Sequence, residues 1–216
     1  MNKKYQIVIF GATGFTGELC VKYMSEKYPD VSIAIAGRNK EKLEGVVRRH
    51  GLSCPIIIAD AFDVEALDKM CQDTGVVLST AGPYHKYGSA LVDSCVNAGC
   101  HYVDITGESF WIRDQIEKHH KRAEEKGVRI INACGFDSAP SDLGVFYAVN
   151  KVVGDVESVQ CFQAWKGESS GGTMETMFSS VDAKLAKGGL GKFSLNPKNT
   201  ISENQKKNTN DKIKIK

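Results

Sequence analysis

Gly11, Gly14 and Gly17 punctuate the run GATGFTG, which follows an apolar stretch and opens an amphipathic one. In a strand–turn–helix unit each glycine has a separate task. The first lets the backbone turn tightly out of the strand. The second lets a pyrophosphate approach the main chain, and the third lets helix and strand pack closely. The free N–H groups at the helix start, together with the positive end of its dipole, then face an anion. The spacing is GxxGxxG, one residue longer in the turn than GxGxxG, and Thr13 and Phe15 fall inside the same loop. The expected chemistry is dinucleotide binding. A P-loop is excluded, because no Lys-Ser/Thr follows; at Gly191-Lys192-Phe193 a phenylalanine stands where a magnesium-binding hydroxyl is needed.

The second strand ends Ala36-Gly37-Arg38. An NAD site needs a carboxylate there for the ribose 2′-OH, whereas Arg38 suits a 2′-phosphate and can stack on adenine. Lys40 and Lys42 add positive charge nearby, so NADP is favoured over NAD. Asp60 ends the third strand, where a carboxylate can accept from the adenine amino group or can simply shape a turn. Ala81, Gly82 and Pro83 close the fourth strand with small residues, leaving room for a ligand at the carboxyl edge of the sheet.

Hydride transfer often needs a proton donor near the ends of strands four to six. The weak candidates for catalysis are Tyr84, His85, Asp104 and Asp137, with Tyr87 and Glu108 beside them; structural roles compete for most of them. A Tyr-x-x-x-Lys pair occurs at Tyr147 and Lys151, with Ser138 upstream, and again at Tyr23 and Lys27. Two matches in one chain make the pattern cheap, and the apolar run around Tyr147 favours packing. Cys95, Cys100 and His101 lack the fourth ligand and the tight pairing of a zinc site, so no metal is expected.

These residues must be carried by alternating strands and helices. Strands are expected at Tyr5–Phe10, Val31–Ala36, Pro55–Ala59, Val76–Thr80, His101–Ile105 and Val128–Ala133. They are nearly all apolar, as expected for strands covered on both faces. Helices are expected near 15–27, 40–49, 63–72, 88–98, 109–126 and 141–150, with Asn39 and Asp63 as N-caps and Gly99 and Gly127 as C-terminal glycines. Six β-α units in a row predict an α/β fold of the Rossmann type, a doubly wound parallel sheet. Residues 1–150 form the dinucleotide-binding domain in this reading. Residues 151–195 begin a second α/β domain, with a strand at Val156–Trp165 and a weakly helical stretch after it. Residues 196–216 are an Asn/Lys-rich tail too poor in apolar residues to order itself.

The 216 residues are 42% hydrophobic and 25% charged, with a formal net charge of +2, which places the chain in the globular class. The charge is unevenly spread. From residue 198 onward six lysines stand against Glu203 and Asp211, so the rest of the chain is mildly acidic. Nucleic acid is not expected as a partner. No transmembrane segment is expected, nor a secretory or transit segment at MNKKYQIVIF, and the seven scattered cysteines fit an intracellular, cytoplasmic-side protein.

GATGFTG, the AGR at 36–38, AGPY at 81–84, DITGE at 104–108 and GFDSAPSDLG at 135–144 together resemble the saccharopine dehydrogenase-like oxidoreductase family. The resemblance covers about residues 5–180, in order. It implies a Rossmann domain, then a second α/β domain over the nicotinamide end, and nicotinamide-dependent hydride transfer to or from a small or lipid-linked substrate. Relatives include saccharopine reductases and enoyl reductases of lipid intermediates; this chain looks closer to the lipid-linked branch, which makes lipid-droplet, membrane or mitochondrial association an expectation by resemblance. Family members have most of their second domain after the GGT at 171–173, so the chain resembles the N-terminal half, as a truncated isoform or a misread gene end would. The alternative function is therefore a non-catalytic NADP-binding module, and an apolar surface is expected where the second domain would sit.

Overall fold

The computed structural model describes residues 3–162, 164, 166–167, 171–186 and 195–196. Six parallel strands, β1 (Tyr5–Phe10), β2 (Ile33–Gly37), β3 (Ile56–Ile58), β4 (Thr74–Ser79), β5 (His101–Asp104) and β6 (Ile130–Ile131), lie in the order β3-β2-β1-β4-β5-β6. The helices are α1 (Phe15–Lys27), α2 (Lys40–His50), α3 (Val64–Gln72), α4 (Tyr84–Tyr87), α5 (Ser89–Ala98), α6 (Ser109–Glu125), α7 (Ala139–Val149) and α8 (Gly171–Ala186). This is the doubly wound Rossmann-type sheet that the residue pattern predicts.

Alternating residues of each strand feed two cores. On one face Ile9 and Ile35 meet Val21 of α1 and Leu43 and Val46 of α2. On the other, Val8, Phe10 and Val77 meet Leu67 and Met70 of α3, Leu91 and Val92 of α5, and Trp111 of α6. Phe10 pairs in register with Ala36 of β2 and with Ser79 of β4, so the carboxyl ends of these three strands are level. The strand order reverses between β1 and β4, which opens a crevice at that edge.

The local signals act as expected at several ends. Asn39 accepts from the Lys42 N–H at 2.8 Å and Asp63 from the Ala66 N–H at 3.0 Å. Gly99 and Gly127 take φ of +66° and +64°, where the missing Cβ avoids strain. Other ends differ from expectation. β6 is only two residues long: the Val128 N–H is spent on the Ala123 carbonyl at the end of α6, and Ala133 turns to φ +57°. α4 is a short extra helix before α5. α8 is a regular helix of 16 residues where the sequence looked weakly helical.

Residues 156–162 are not a strand. Val156, Val159 and Phe162 are exposed, and among the described residues no strand pairs with this segment; a strand needs such a partner. Trp165 and, apart from Asn196, the 196–216 tail lie outside the described residues. Tyr147 does not pack inward: it is 66% exposed on α7, with the Lys151 ammonium 5.5 Å from its ring centroid. Leu143 and Phe146 are exposed beside it, and α7 has no buried residue.

Candidate functional site

The three loop glycines differ in what surrounds them. Gly11 sits at φ +84°, and a Cβ there would come within 2.9 Å of the Ala81 nitrogen. A Cβ on Gly17 would lie 2.2 Å from the Gly11 carbonyl oxygen and 2.8 Å from Thr80 Oγ1, so Gly17 is the packing glycine between α1, the turn and β4. Gly14 is unlike both. It has an ordinary extended backbone, φ −79° and ψ 162°, and a Cβ would meet only the Gly11 oxygen, at 3.4 Å. It is the N-cap of α1 and has no side chain to cap it. The first-turn N–H groups of a helix have no intrahelical partner, so they are left facing whatever enters beside Gly14.

What lies beside Gly14 is a cavity of about 860 Å³. That is within the usual range for a small-molecule or cofactor site. Gly11, Thr13, Gly14 and Phe15 form one wall, and Arg38, Asp60 and Phe62 line the β2–β3 end. Ala81, Gly82, Tyr84, Tyr87, Ile105, Gly107 and Asp137 line the end beyond β4 and β5. Gly17 and Pro83, both expected at the site, do not line it. Gly17 is buried under the turn, and Pro83 precedes α4 across a cis Gly82–Pro83 peptide.

Arg38 is exposed at the mouth, and among the described residues its guanidinium has no ion-pair partner. It is thus a free cation on a cavity wall. Asp60 has the turn-shaping role, its Oδ1 accepting from the Phe62 N–H at 2.9 Å, and it also lines the cavity. A pyrophosphate beside Gly14 and a 2′-phosphate at Arg38 fit the residues present. The cradle is one that a side chain at position 14 would fill.

The candidate acids are mostly engaged elsewhere. The Tyr84 hydroxyl donates to the Ser79 carbonyl at 3.1 Å, and burial, with Asp104 nearby, holds its pKa above the usual phenol range. His85 does not line the cavity. Its Nδ1 lies 2.6 Å from Glu108 Oε2, and its ring lies against Phe110. Glu108 is 2% exposed and also accepts the N–H groups of Tyr84 at 2.7 Å and His85 at 2.8 Å. One buried carboxylate thus fixes the start of α4 and the imidazole together. Asp104 accepts from the Thr106 and Ala133 N–H groups and from Asn132 Nδ2, fastening β5 to the turn after β6. Burial pushes its pKa up, while these hydrogen bonds oppose the shift. Tyr87 and Asp137 remain on the cavity wall.

The opposite wall comes from the segment expected to begin the second domain. Gly171, Gly172, Thr173, Glu175 and Thr176 at the start of α8 line the same cavity. A Cβ on Gly82 would lie 3.3 Å from Thr176 Oγ1, so the AGPY turn and the start of α8 approach closely at this glycine. Phe62, in edge-to-face contact with Tyr87 at 5.6 Å, went unrecognised, since an isolated loop phenylalanine carries no motif. Among the described residues no group of three or more His, Cys, Asp or Glu side chains is arranged to hold a metal ion. No described helix is long and apolar enough to cross a membrane.

Residues 7–131 match the family described as the saccharopine dehydrogenase NADP binding domain. The chain is 42% identical over 163 residues to the trans-acting enoyl reductase of Mycobacterium tuberculosis, covering 74% of this chain and 39% of that one. It is 38% identical over 188 residues to a lipid droplet localized protein of Caenorhabditis elegans, covering 81% of this chain and 44% of the other. The chain thus spans less than half the length of the curated relatives it matches. Among solved structures, apo saccharopine dehydrogenase (L-Glu forming) from Saccharomyces cerevisiae superposes with a TM-score of 0.58 at 20% identity, over 68% of this chain and 31% of that one. That likeness concerns the fold.

Proposed function

This chain belongs to the saccharopine dehydrogenase NADP-binding domain family, and from that premise we propose that it is the cofactor-binding part of an NADP(H)-dependent oxidoreductase acting on a small or lipid-linked substrate. The cavity that joins the Gly14 cradle to the free Arg38 guanidinium carries the reading. The N–H groups at the start of α1 would hold the pyrophosphate, and Arg38 would hold the 2′-phosphate. Gly11, Thr13, Gly14, Phe15, Arg38, Asp60, Ala81 and Gly82 would touch the cofactor, while Gly17 and Pro83 would shape the turns behind it. When bound, the cofactor supplies or accepts a hydride at its nicotinamide end. The residues of this chain at that end, Tyr87, Asp137, Glu175 and Thr176, would orient the substrate and exclude water.

Two relatives favour a lipid-linked substrate, one named for enoyl reduction and one for its place on lipid droplets. Residues 1–150 are proposed as the cofactor domain, with α8 belonging to a second, substrate-facing unit. The alternative, a binding module without turnover, is favoured by one observation: Tyr84, His85 and Asp104 all have structural partners. The test is a fluorescence titration with NADPH and NADH. The chain should bind NADPH at least about tenfold more tightly, the value of one charge-assisted contact. Arg38→Glu should erase that preference by weakening NADPH far more than NADH, since only NADPH carries the 2′-phosphate that Arg38 would hold. Equal affinities in the unmodified chain would sink the assignment. Oxidation of NADPH with an enoyl or carbonyl substrate would exclude the alternative.

A further inference from the structure

The charged side chains on the cavity wall are divided by sign along its length. Arg38 stands at the β2–β3 end, with Asp60 beside it. At the other end, beyond β4 and β5, the charged residues are Asp137 and Glu175, and among the described residues no Lys, Arg or His lines the wall there. Asp137 is placed at the carboxyl end of β5. A Cβ on Gly135 would lie 2.7 Å from its Oδ1 and 3.5 Å from the Cβ of Ile105. Glu175 comes in on α8, next to the Thr176 hydroxyl that stands against Gly82. His85 brings no cation to the wall, since its ring lies against Glu108 and Phe110. Both acids are exposed, and among the described residues neither has an ion-pair partner.

Two carboxylates without a cation face whatever occupies this end. Of a nicotinamide dinucleotide, the pyrophosphate lies with α1 and the 2′-phosphate with Arg38, which leaves the nicotinamide here. That ring is charged in one redox state only: oxidised it is a pyridinium with one positive charge, and reduced it is neutral. We propose, resting on the assignment of the cavity to NADP(H), that Asp137 and Glu175 hold the oxidised ring more tightly than the reduced one and so set the site for reduction of its substrate.

In that direction a hydride, two electrons with one hydrogen nucleus, passes from the reduced ring to the electron-poor carbon of an enoyl or carbonyl group. One C–H bond of the ring breaks and one forms on the substrate, whose α-carbon or oxygen then takes a proton from water. The ring is left with the positive charge that the two carboxylates attract. Protein charge beside a cofactor's reactive ring tunes its electronics, and tighter binding of the oxidised form makes the reduced form the stronger donor. Each acid is open to water, so the two together should contribute about tenfold, as solvent-screened pairs do. Tenfold lowers the midpoint of a two-electron couple by about 30 mV.

The test is a pair of calorimetric titrations of the purified chain, with NADP+ and with NADPH. In the double variant Asp137→Asn with Glu175→Gln, affinity for NADP+ should fall about tenfold while that for NADPH stays within about twofold. Arg38→Glu should instead weaken both forms alike, since both carry the 2′-phosphate. If the double variant does not fold, the unsubstituted chain decides: added salt should shrink its preference for NADP+ over NADPH. Equal losses for the two forms, an unchanged NADP+ affinity in the folded double variant, or a preference indifferent to salt would overturn the proposal and leave the cofactor site standing. Failure of the unsubstituted chain to bind either form would overturn the cofactor assignment, and this inference with it.

Discussion

Gly14→Val should abolish cofactor binding and leave the fold intact, which few positions in this loop permit. At φ −79° and ψ 162° a valine backbone is relaxed, and the nearest atom to the new Cβ is the Gly11 oxygen at 3.4 Å. The cost at the N-cap is about 1 kcal/mol, and it is partly offset by the lower entropy of the unfolded chain. For a chain of this size that shifts the thermal midpoint by at most about 4 °C. The isopropyl group, however, occupies the space through which a phosphate reaches the first-turn N–H groups of α1. Losing two charge-assisted hydrogen bonds there costs about 3–5 kcal/mol in binding, which weakens NADPH at least about 100-fold. Gly17→Ala is the contrasting variant. Its Cβ would lie 2.2 Å from the Gly11 oxygen, so it should lower the thermal midpoint sharply, and any loss of binding would follow from loss of structure. Paired measurements of thermal midpoint and NADPH affinity distinguish the two. A Gly14→Val protein that keeps both its midpoint and its affinity within threefold would show that no pyrophosphate passes beside Gly14.

Glu108→Ala strands the Tyr84 and His85 N–H groups and His85 Nδ1 in the interior. It should cost about 3–5 kcal/mol, read as a fall in the denaturation midpoint, and Glu108→Gln should recover part of it. Glu18 binds Arg49 and His50 across α1 and α2, and the Arg49 hydrogen bond leads the causes that hold its carboxyl at about 2. A depressed carboxyl stabilises the fold above its unfolded pKa, and the contribution disappears as pH falls from about 4.5, the ordinary glutamate value, toward 2. Glu18→Gln should lower the midpoint by about 2–4 °C at pH 7, as expected for a solvent-screened pair worth about 1 kcal/mol. The difference should vanish near pH 2; a difference that persists there would refute the assignment. Exposed Leu143, Phe146 and Tyr147 on α7 should bind an environment-sensitive hydrophobic dye. Leu143→Lys with Phe146→Lys should remove most of that fluorescence without moving the midpoint, and an unchanged signal would place the dye elsewhere.

Legibility from the residues was highest where a local rule acts alone. β1 coincides with its apolar run, and Asn39, Asp63, Gly99 and Gly127 do what their types dictate within a few residues of chain. Strand order follows from six short β-α units, because right-handed crossovers leave few alternatives. Features set by distant partners could not be read. α4 depends on a carboxylate 23 and 24 residues away in sequence, and YHKY carries no period of its own. The cavity wall at Glu175 and Thr176 is formed where α8 comes against the distant AGPY turn at Gly82. Val156–Trp165 looks like a strand from its composition, yet over 156–162 apolar content does not supply the neighbouring backbone that a strand requires.

The same distinction bears on where the chemistry must be sought. DITGE and AGPY offer weak candidates for a proton donor with structural roles competing, and in the structure their polar groups take structural partners. Glu108 fixes His85 and the start of α4, Tyr84 closes onto β4, and Asp104 joins β5 to the turn beyond β6. Removing any of these would disturb the walls of the cavity before it removed a proton. An effect of His85→Ala on turnover would therefore not identify His85 as the acid. The sharper comparison is between Tyr87→Phe and Asp137→Asn. Each takes a single polar group from the cavity wall, and neither side chain has a buried network behind it among the described residues. If one of them donates the proton, its variant should lower kcat about 100-fold or more, with NADPH affinity and thermal midpoint unchanged. If both variants keep full turnover, the proton comes from elsewhere, and Glu175 and Thr176 at the start of α8 are the next polar side chains on the wall to test.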